Sequence, residues 1–396
     1  MSVFLRKSCF ILALVSISLL FGCTEKPVTS TVSKPTEGMG VVTIAAVGDI
    51  FLTDAMLADA RMADGTYDFT AKLADTVNSL SAADVAIGNF EGNFAGEPFS
   101  GGSMPDSFAS ALGDIGFDLL QTANSFSIHN GIAGLQRTKA VIENEHMTAL
   151  GTYTDYADRE EHRVVIREIN GIRIAFIAFT KGLNGMSLPS GSEYSVDLLC
   201  RDYNENYSDV DTEDIVSLLS AVQLREPDVI IAMLHWGSEN ITEISETQEE
   251  ITALMLANGV DVIIGSHSHR VSTIEQRKFT MQDGREKTAV IAYSLGDFCA
   301  ATEGDVNASL ILNLEFTRNH ATGATTLTDV SYTPLATVDF GAGRTDRYAV
   351  LNVDNAISLY EQNYFGRVSD EIYEELLVVQ KDLLESTTPD AATPEA

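Results

Sequence analysis

Basic residues are scarce in this chain. Lysine and arginine number 25 against 57 aspartates and glutamates, a formal charge of −32 over 396 residues. Such a surface repels phosphate backbones, which argues against nucleic-acid binding. It also disfavours unaided contact with anionic membrane surfaces. Cysteine is sparse as well. There are four, and once an N-terminal leader is set aside only Cys200 and Cys299 lie beyond Cys23. Two cysteines make no disulfide framework; one bridge and two free thiols both stay open. No internal repeat of fixed period occurs, and no second core carries its own motif set. Hydrophobic residues still make up 45% of the chain, enough for a large core.

The N-terminus is informative. Arg6 and Lys7 precede an apolar run from Phe10 to Phe21, too short for a comfortable membrane span, so the stretch reads as a secretory signal. Gly22-Cys23 at its end resembles a bacterial lipobox, which implies cleavage before Cys23 and diacylglycerol on its sulfur. The expected organisation is a lipoprotein signal at 1–22 and a Thr-, Ser-, Pro- and Gly-rich tether at 23–40. A main domain at 41–350, C-terminal helices at 351–385 and a disordered tail at 386–396 follow.

The stretch from Asp228 to Glu275 organises the main domain. Two apolar runs, Val229 to Leu234 and Val260 to Ile264, each lead into histidine: His235 after the first, His267 and His269 after the second. Between them, Ile244, Ile251, Leu254 and Met255 stand near helical spacing. This is a strand–helix–strand unit that releases its imidazoles at one end. In a parallel sheet, that end faces a crevice.

Other strands end in polar residues too. VVTIAAV (Val41 to Val47) runs into Gly48-Asp49, and DVAI (Asp84 to Ile87) into GNFEG with Glu91. FDLLQT (Phe117 to Thr122) leads to Asn124, Ser125 and His129. An Asn170-Gly171 turn predicts a hairpin. Lys181 to Asp209 reads as an insertion or lid, and Gly92 to Pro105 as a surface loop over the site. Helices are expected over 69–80, 134–145, 211–225 and 243–258, and His146 and His162 as surface histidines. Strands alternate with helices first, and hairpins follow. The predicted fold is therefore α/β, a two-sheet sandwich with helices outside.

Asp49, Glu91, Asn124 or Ser125, His235, His267 and His269 form an N/O ligand set. It suits Mn, Fe or Zn better than Ca or Mg, which prefer oxygen alone. One or two such ions could polarise an ester or amide oxygen and supply a hydroxide nucleophile. A hydrogen-bonded histidine cluster is the bland alternative.

VGDIFL, IGNFEG, the ANSF region, LHWGSE, GVDVIIGSHSHRVSTIE and IAYSLGDF together resemble the ordered motifs of the bacterial capsule-synthesis CapA family, the PgsA-type poly-γ-glutamate biosynthesis proteins. The resemblance runs from Val41 to about Asn313. It implies a four-layer sandwich of the calcineurin-like metallophosphoesterase type and an extracytoplasmic, membrane-anchored protein. It also implies partners among poly-γ-glutamate synthase membrane subunits or the polymer itself. Asp49, Glu91, His235, His267 and His269 fall on the metal positions, and Trp236 is expected to be structural.

The third motif departs from the family pattern A-N-N-H-x-x-D-x-G. Ser125 stands at the second Asn, Phe126 at the histidine and His129 at the aspartate. Phenylalanine neither ligates a metal nor protonates a leaving group; His129 is the substitute to consider. Asp297 replaces the usual Asn of YSLGNF. Three functions compete: a metal-dependent hydrolase or transferase of a surface polymer, a non-catalytic accessory lipoprotein serving a polymer synthase, and a general exported phosphoesterase. The charge requires metal ions, or a basic patch near Arg270, Arg277 and Lys278, to accommodate a polyanion.

Overall fold

The computed structural model describes residues 38–387 apart from 101, 282–283, 302–305, 345 and 365. The expected signal, most of the tether, Cys23 and all but the first two residues of the tail lie outside the described residues; those two, Ser386 and Thr387, close the last helix.

The chain first lays down four parallel strands: β1 (Met39–Ile50), β2 (Val85–Phe90), β3 (Leu119–Gln121) and β4 (Thr148–Leu150). It then crosses to a second sheet. There β5 (Val165–Ile169) and β6 (Ile172–Thr180) form the expected hairpin, with Asn170 at φ 51° and Gly171 at φ 78°, as a tight turn matching strand twist requires. Parallel β7 (Val229–His235) and β8 (Val262–Ser266) follow, then the hairpin β9 (Ile274–Thr280) and β10 (Glu286–Ala292). The chain returns to the first sheet with antiparallel β11 (Val306–Asn319), β12 (Thr325–Asp339) and β13 (Tyr348–Asn352). The orders are β13-β12-β11-β1-β2-β3-β4 and β5-β6-β7-β8-β10-β9.

Alternation along the strands dictates the layers. On β1, Val42, Ile44 and Ala46 face the second sheet, where they meet Ile174, Phe176, Ile231 and Val262. Ala45 and Val47 face the other way, against α1 (Asp54–Ala60), α2 (Thr70–Leu73), α3 (Val77–Leu80), α4 (Asp106–Asp114) and α5 (Gly131–Asn144). The short α6 (Tyr156–His162) precedes β5. Beyond the second sheet, α7 (Thr212–Gln223) and α8 (Glu246–Ala257) bury Ile215, Leu219, Ile251 and Met255 on β6, β7 and β8. The result is the predicted α/β sandwich, with both faces of each central strand buried. Each such Ile, Leu or Phe contributes about 1.5–3 kcal/mol. The C-terminal α9 (Val353–Glu361) and α10 (Asp370–Thr387) join the inter-sheet core through Ile357, Ile372 and Leu376.

Several expectations need correction. The helix expected over 69–80 is broken: a 3-10 turn at Ala74–Thr76 separates α2 from α3. α8 starts at Glu246, because the Ser245 side chain accepts from the Gln248 backbone N–H while Gln248 caps Ser245 in return. β13 was not anticipated. The loop over 92–105 is less superficial than its glycines suggested, since Phe94 and Met104 are fully buried. The 181–209 insertion is pinned as well: buried Asp197 accepts from the Tyr153 hydroxyl at 2.6 Å and from Arg159 at 2.9 Å. Cys200 and Cys299 are free, buried thiols in opposite outer layers. Trp236 is structural as expected, stacked on Tyr293 and donating to its carbonyl at 3.0 Å. His146 and His162 are exposed. No helix among the described residues is long and apolar enough to cross a membrane.

Candidate metal centre

The carboxyl ends of the parallel strands of both sheets meet at one edge of the sandwich, and there the polar residues converge. Asp49 is delivered by a β-bulge. Ala46 pairs with Ile87 and Asp49 with Asn89, so Val47 and Gly48 oppose Gly88 alone. Beyond the bulge, the Asp49 amide donates to the Gly296 carbonyl at 2.9 Å, and its own carbonyl accepts from the Phe298 amide at 2.8 Å. Position 48 must be glycine here, since a Cβ would sit 2.0 Å from the Gly296 oxygen.

Asp49 is fully buried. Its Oδ1 accepts from the Asn89 amide at 2.6 Å and its Oδ2 from the His267 backbone N–H at 3.0 Å. His269 Nδ1 lies 3.8 Å from the same Oδ2. His235, at the end of β7, has Asn89 Nδ2 at 3.3 Å and Ser266 Oγ at 3.1 Å on its Nδ1 side. Ser125 Oγ at 2.9 Å and Glu91 Oε1 at 3.4 Å stand on its Nε2 side. Nδ1 thus faces the Asn89 amide and the Ser266 hydroxyl, and Nε2 faces Ser125 and Glu91. The His267 ring centroid is 4.5 Å from that of His235 and 6.2 Å from that of His269.

The loop after β8 presents this pair under strain. His267 has φ 98° and His269 φ 59°, values side chains other than glycine rarely adopt. Such conformations cost about 1–3 kcal/mol each and cluster at ligand clamps.

Burial sets the charge states. It raises Asp49 to about 6 despite the attraction of His269, and raises Glu91 well above the usual carboxylate range, with the Asp49 charge adding to the effect. Burial holds His235 far below 6.5 and His267 at about 3. His269 moves the opposite way, to about 10. Burial opposes its charge, but the bond to Asp297 and the charges of Asp49, Asp297 and Glu91 outweigh that. The site thus holds two neutral imidazoles, His235 and His267, beside the His269 imidazolium and carboxylates whose ionisation burial opposes.

Two buried atoms sharpen this. Glu91 Oε2 and His267 Nδ1 have no hydrogen-bond partner among the described residues. Leaving such an atom unsatisfied costs about 1–3 kcal/mol, and both face a cluster rich in metal-ligand types. Donor atoms lie within 4.8 Å of one another in three overlapping groups: Asp49–Glu91–His235, Glu91–His267–His269 and Asp49–His269–Asp297. The residues fit a divalent ion held by nitrogen and oxygen.

The predicted residues divide accordingly. Asp49, Glu91, His235, His267 and His269 come together. Asn124 reaches them through a relay, with its NH₂ donating to Asn89 Oδ1 at 3.0 Å and to the Phe90 carbonyl at 2.7 Å. Ser125 touches the cluster through His235. His129 stands apart: it is exposed, and its ring lies 5.2 Å from that of Phe126. Two central residues were not among the predicted ligands. Asn89 holds Asp49 from within β2, and Asp297 binds His269 Nδ1 at 2.8 Å. A polar residue inside an otherwise apolar strand two positions before Glu91 was the available signal for Asn89. Asp297 stands out in the sequence only as a departure from a motif.

The protein is similar to a PGA biosynthesis protein CapA of Bacillus subtilis, at 22% identity over 74% of this chain and 72% of the relative. It is also similar to a capsule biosynthesis protein CapA of Bacillus anthracis, at 22% identity over 50% of this chain and 43% of that protein. Among solved structures, a calcineurin-like phosphoesterase from Bacillus subtilis covers 88% of this chain with 98% of its own, at TM-score 0.42 and 14% identity. A phosphatase from Mycoplasma pneumoniae covers 75% of this chain with 94% of its own, at TM-score 0.44 and 13% identity. The family model described as bacterial capsule synthesis protein PGA_cap matches residues 43–302, the span that carries the whole ligand cluster, and the chain belongs to that family.

Proposed function

We propose that the protein serves poly-γ-glutamate capsule synthesis, export or release at the outer cell surface, as a metal-dependent hydrolase or transferase held to the membrane by a lipid on Cys23. Family membership supports the capsule role. The observation that carries the metal-dependent reading is the pair of orphaned buried atoms, Glu91 Oε2 and His267 Nδ1, inside the ligand cluster. The leader and its lipobox-like end support the anchor.

Asp49, Glu91, His235, His267 and His269 would hold the metal, with Mn, Fe or Zn favoured by the mixed donor set. A bound divalent ion would supply Lewis-acid polarisation of an ester or amide oxygen. The chain's own residues do the rest. Asn89 and the His267 amide fix both oxygens of Asp49, Asp297 fixes the His269 ring, and Ser125 and Ser266 bracket His235.

A second reading is favoured by Phe126. Its ring packs 5.7 Å from that of Phe51, so this part of the site carries hydrocarbon and no acid. On that reading the fold binds metal but assists a membrane polymer synthase without cleaving anything. Elemental analysis of the purified chain, followed by incubation with poly-γ-glutamate with and without chelator, separates the two. Bound metal with chelator-sensitive shortening of the polymer is expected for the hydrolase. Bound metal with intact polymer, and recovery of synthase subunits in a pull-down, supports the accessory role. A chain that takes up no metal removes the metal-dependent reading.

A further inference from the structure

Next to the ligand cluster lies a cavity of about 230 Å³, lined in part by Thr53, Asn240, His269, Arg270, Asp297 and Asn307. It is smaller than the pockets of about 300–1,000 Å³ that enclose whole ligands. It therefore suits one unit of a longer chain or one small anion. Two of its lining residues, His269 and Asp297, belong to the cluster, so whatever enters abuts the reactive centre. The wider cavities lie elsewhere, against α10 or at the far ends of β7 and β8.

Arg270 sets the cavity's chemistry. In so acidic a chain, basic side chains near the site are mostly occupied. Arg277 is held by Glu249 at 2.9 Å and also by Glu275. Lys181 donates to the Gly237 carbonyl and lies 4.9 Å over the Tyr207 ring. Lys278 lines a different cavity on the β9–β10 hairpin. Of the three basic residues that could have formed a patch, Arg270 alone borders the centre. Its side chain is exposed and makes no hydrogen bond or ion pair with the described residues. A guanidinium free to form two parallel bonds is the side chain best matched to a carboxylate or phosphate.

We propose that this cavity is an oxyanion subsite, and that Arg270 anchors the free α-carboxylate of a γ-linked glutamate unit beside the bond presented to the cluster. The assignment rests on the polymer reading given above and adds where and by what the polymer is gripped. Polar Asn240, Asn307 and Thr53 line the same space, and the one carboxylate among the described residues lining it, Asp297, is already paired with His269 at 2.8 Å. The anchor offsets locally a repulsion that the surface imposes globally.

The test is binding of a fluorescently labelled γ-glutamyl oligomer to the metal-loaded chain by anisotropy, with metal content measured in parallel. Arg270→Ala is expected to weaken binding about tenfold and Arg270→Glu further. Arg270→Lys should retain part of the affinity, because the charge persists while the fork is lost. Metal content should not change. If wild type and Arg270→Glu bind the oligomer equally, the anchor is wrong while the polymer reading stands. Inorganic phosphate and a model phosphate monoester form the second arm. Arg270-dependent binding of these, with no oligomer binding by wild type, would overturn the polymer reading and reassign the subsite to phosphate esters. Wild type binding neither probe would overturn both.

Discussion

Asp297 Oδ1 and His269 Nδ1 are 2.8 Å apart, and the same nitrogen lies 3.8 Å from Asp49 Oδ2, so the pairing holds the ring against the cluster. The carboxylate thus sets the orientation of the imidazole. Outer partners of this kind typically alter metal affinity 10–100-fold. Asp297→Asn, which restores the amide usual at this place in the motif, is expected to weaken metal binding by about tenfold, and Asp297→Ala by more. Titration calorimetry with Mn²⁺ or a chelator-competition assay measures this. Equal affinity in all three proteins would show that Asp297 does not tune His269.

Protons would compete with a bound cation for the same carboxylates. Asp49 is raised above its unfolded value, so its contribution to metal-free stability is present below about 3.8 and lost as pH rises through about 6. His267 is depressed, so its contribution is present above about 6.5 and lost as pH falls toward 3. A cation favours ionised Asp49 and neutral His267, the state that prevails above pH 6. The rise in Tm on adding Mn²⁺ is therefore expected to be larger at pH 7.5 than at pH 5.5, with protons released on binding. A rise independent of pH would count against these ligands.

Phe126 and His129 predict an asymmetry. Phe126→His would place an acid beside the cluster, and general acids contribute about 10²–10⁴-fold. It should raise turnover of a model ester with a poor leaving group at least tenfold. His129→Ala should leave metal content and turnover as they are, since the ring is exposed and touches Phe126. Steady-state kinetics on both variants decides this; a loss on His129→Ala would restore that residue to the site.

Gly48→Ala tests the bulge. The added methyl would meet the Gly296 carbonyl at 2.0 Å, a backbone atom that cannot swing aside. Overpacking typically costs about 1–3 kcal/mol, and Asp49 would be displaced with its strand. Denaturant unfolding should show the loss, together with weaker metal binding. Wild-type stability would mean that the two segments are less tightly joined than described.

The sequence exposed the centre because most ligands follow apolar strands, where polarity stands out. Asp49, Glu91, His235 and the two loop histidines were visible on that ground. Asn89 was obscured because its role depends on register: only the bulge at Val47-Gly48 brings it opposite Asp49. Asp297 depends on a contact between segments distant in the chain, with no local pattern to announce it. β13 is short, and the broken helix over 70–80 keeps helical composition while its hydrogen bonding tightens midway. In each case tertiary pairing, not local propensity, decided the outcome.

Because the Asp49 backbone is fastened on one side to Gly296 and Phe298, the centre draws on residues from near the start of the domain to well past its middle. A chain that has not yet reached that segment holds Asp49 and Glu91 without the backbone that braces Asp49. Loosening that distant segment should therefore disturb Asp49 as much as a change beside Asp49 itself.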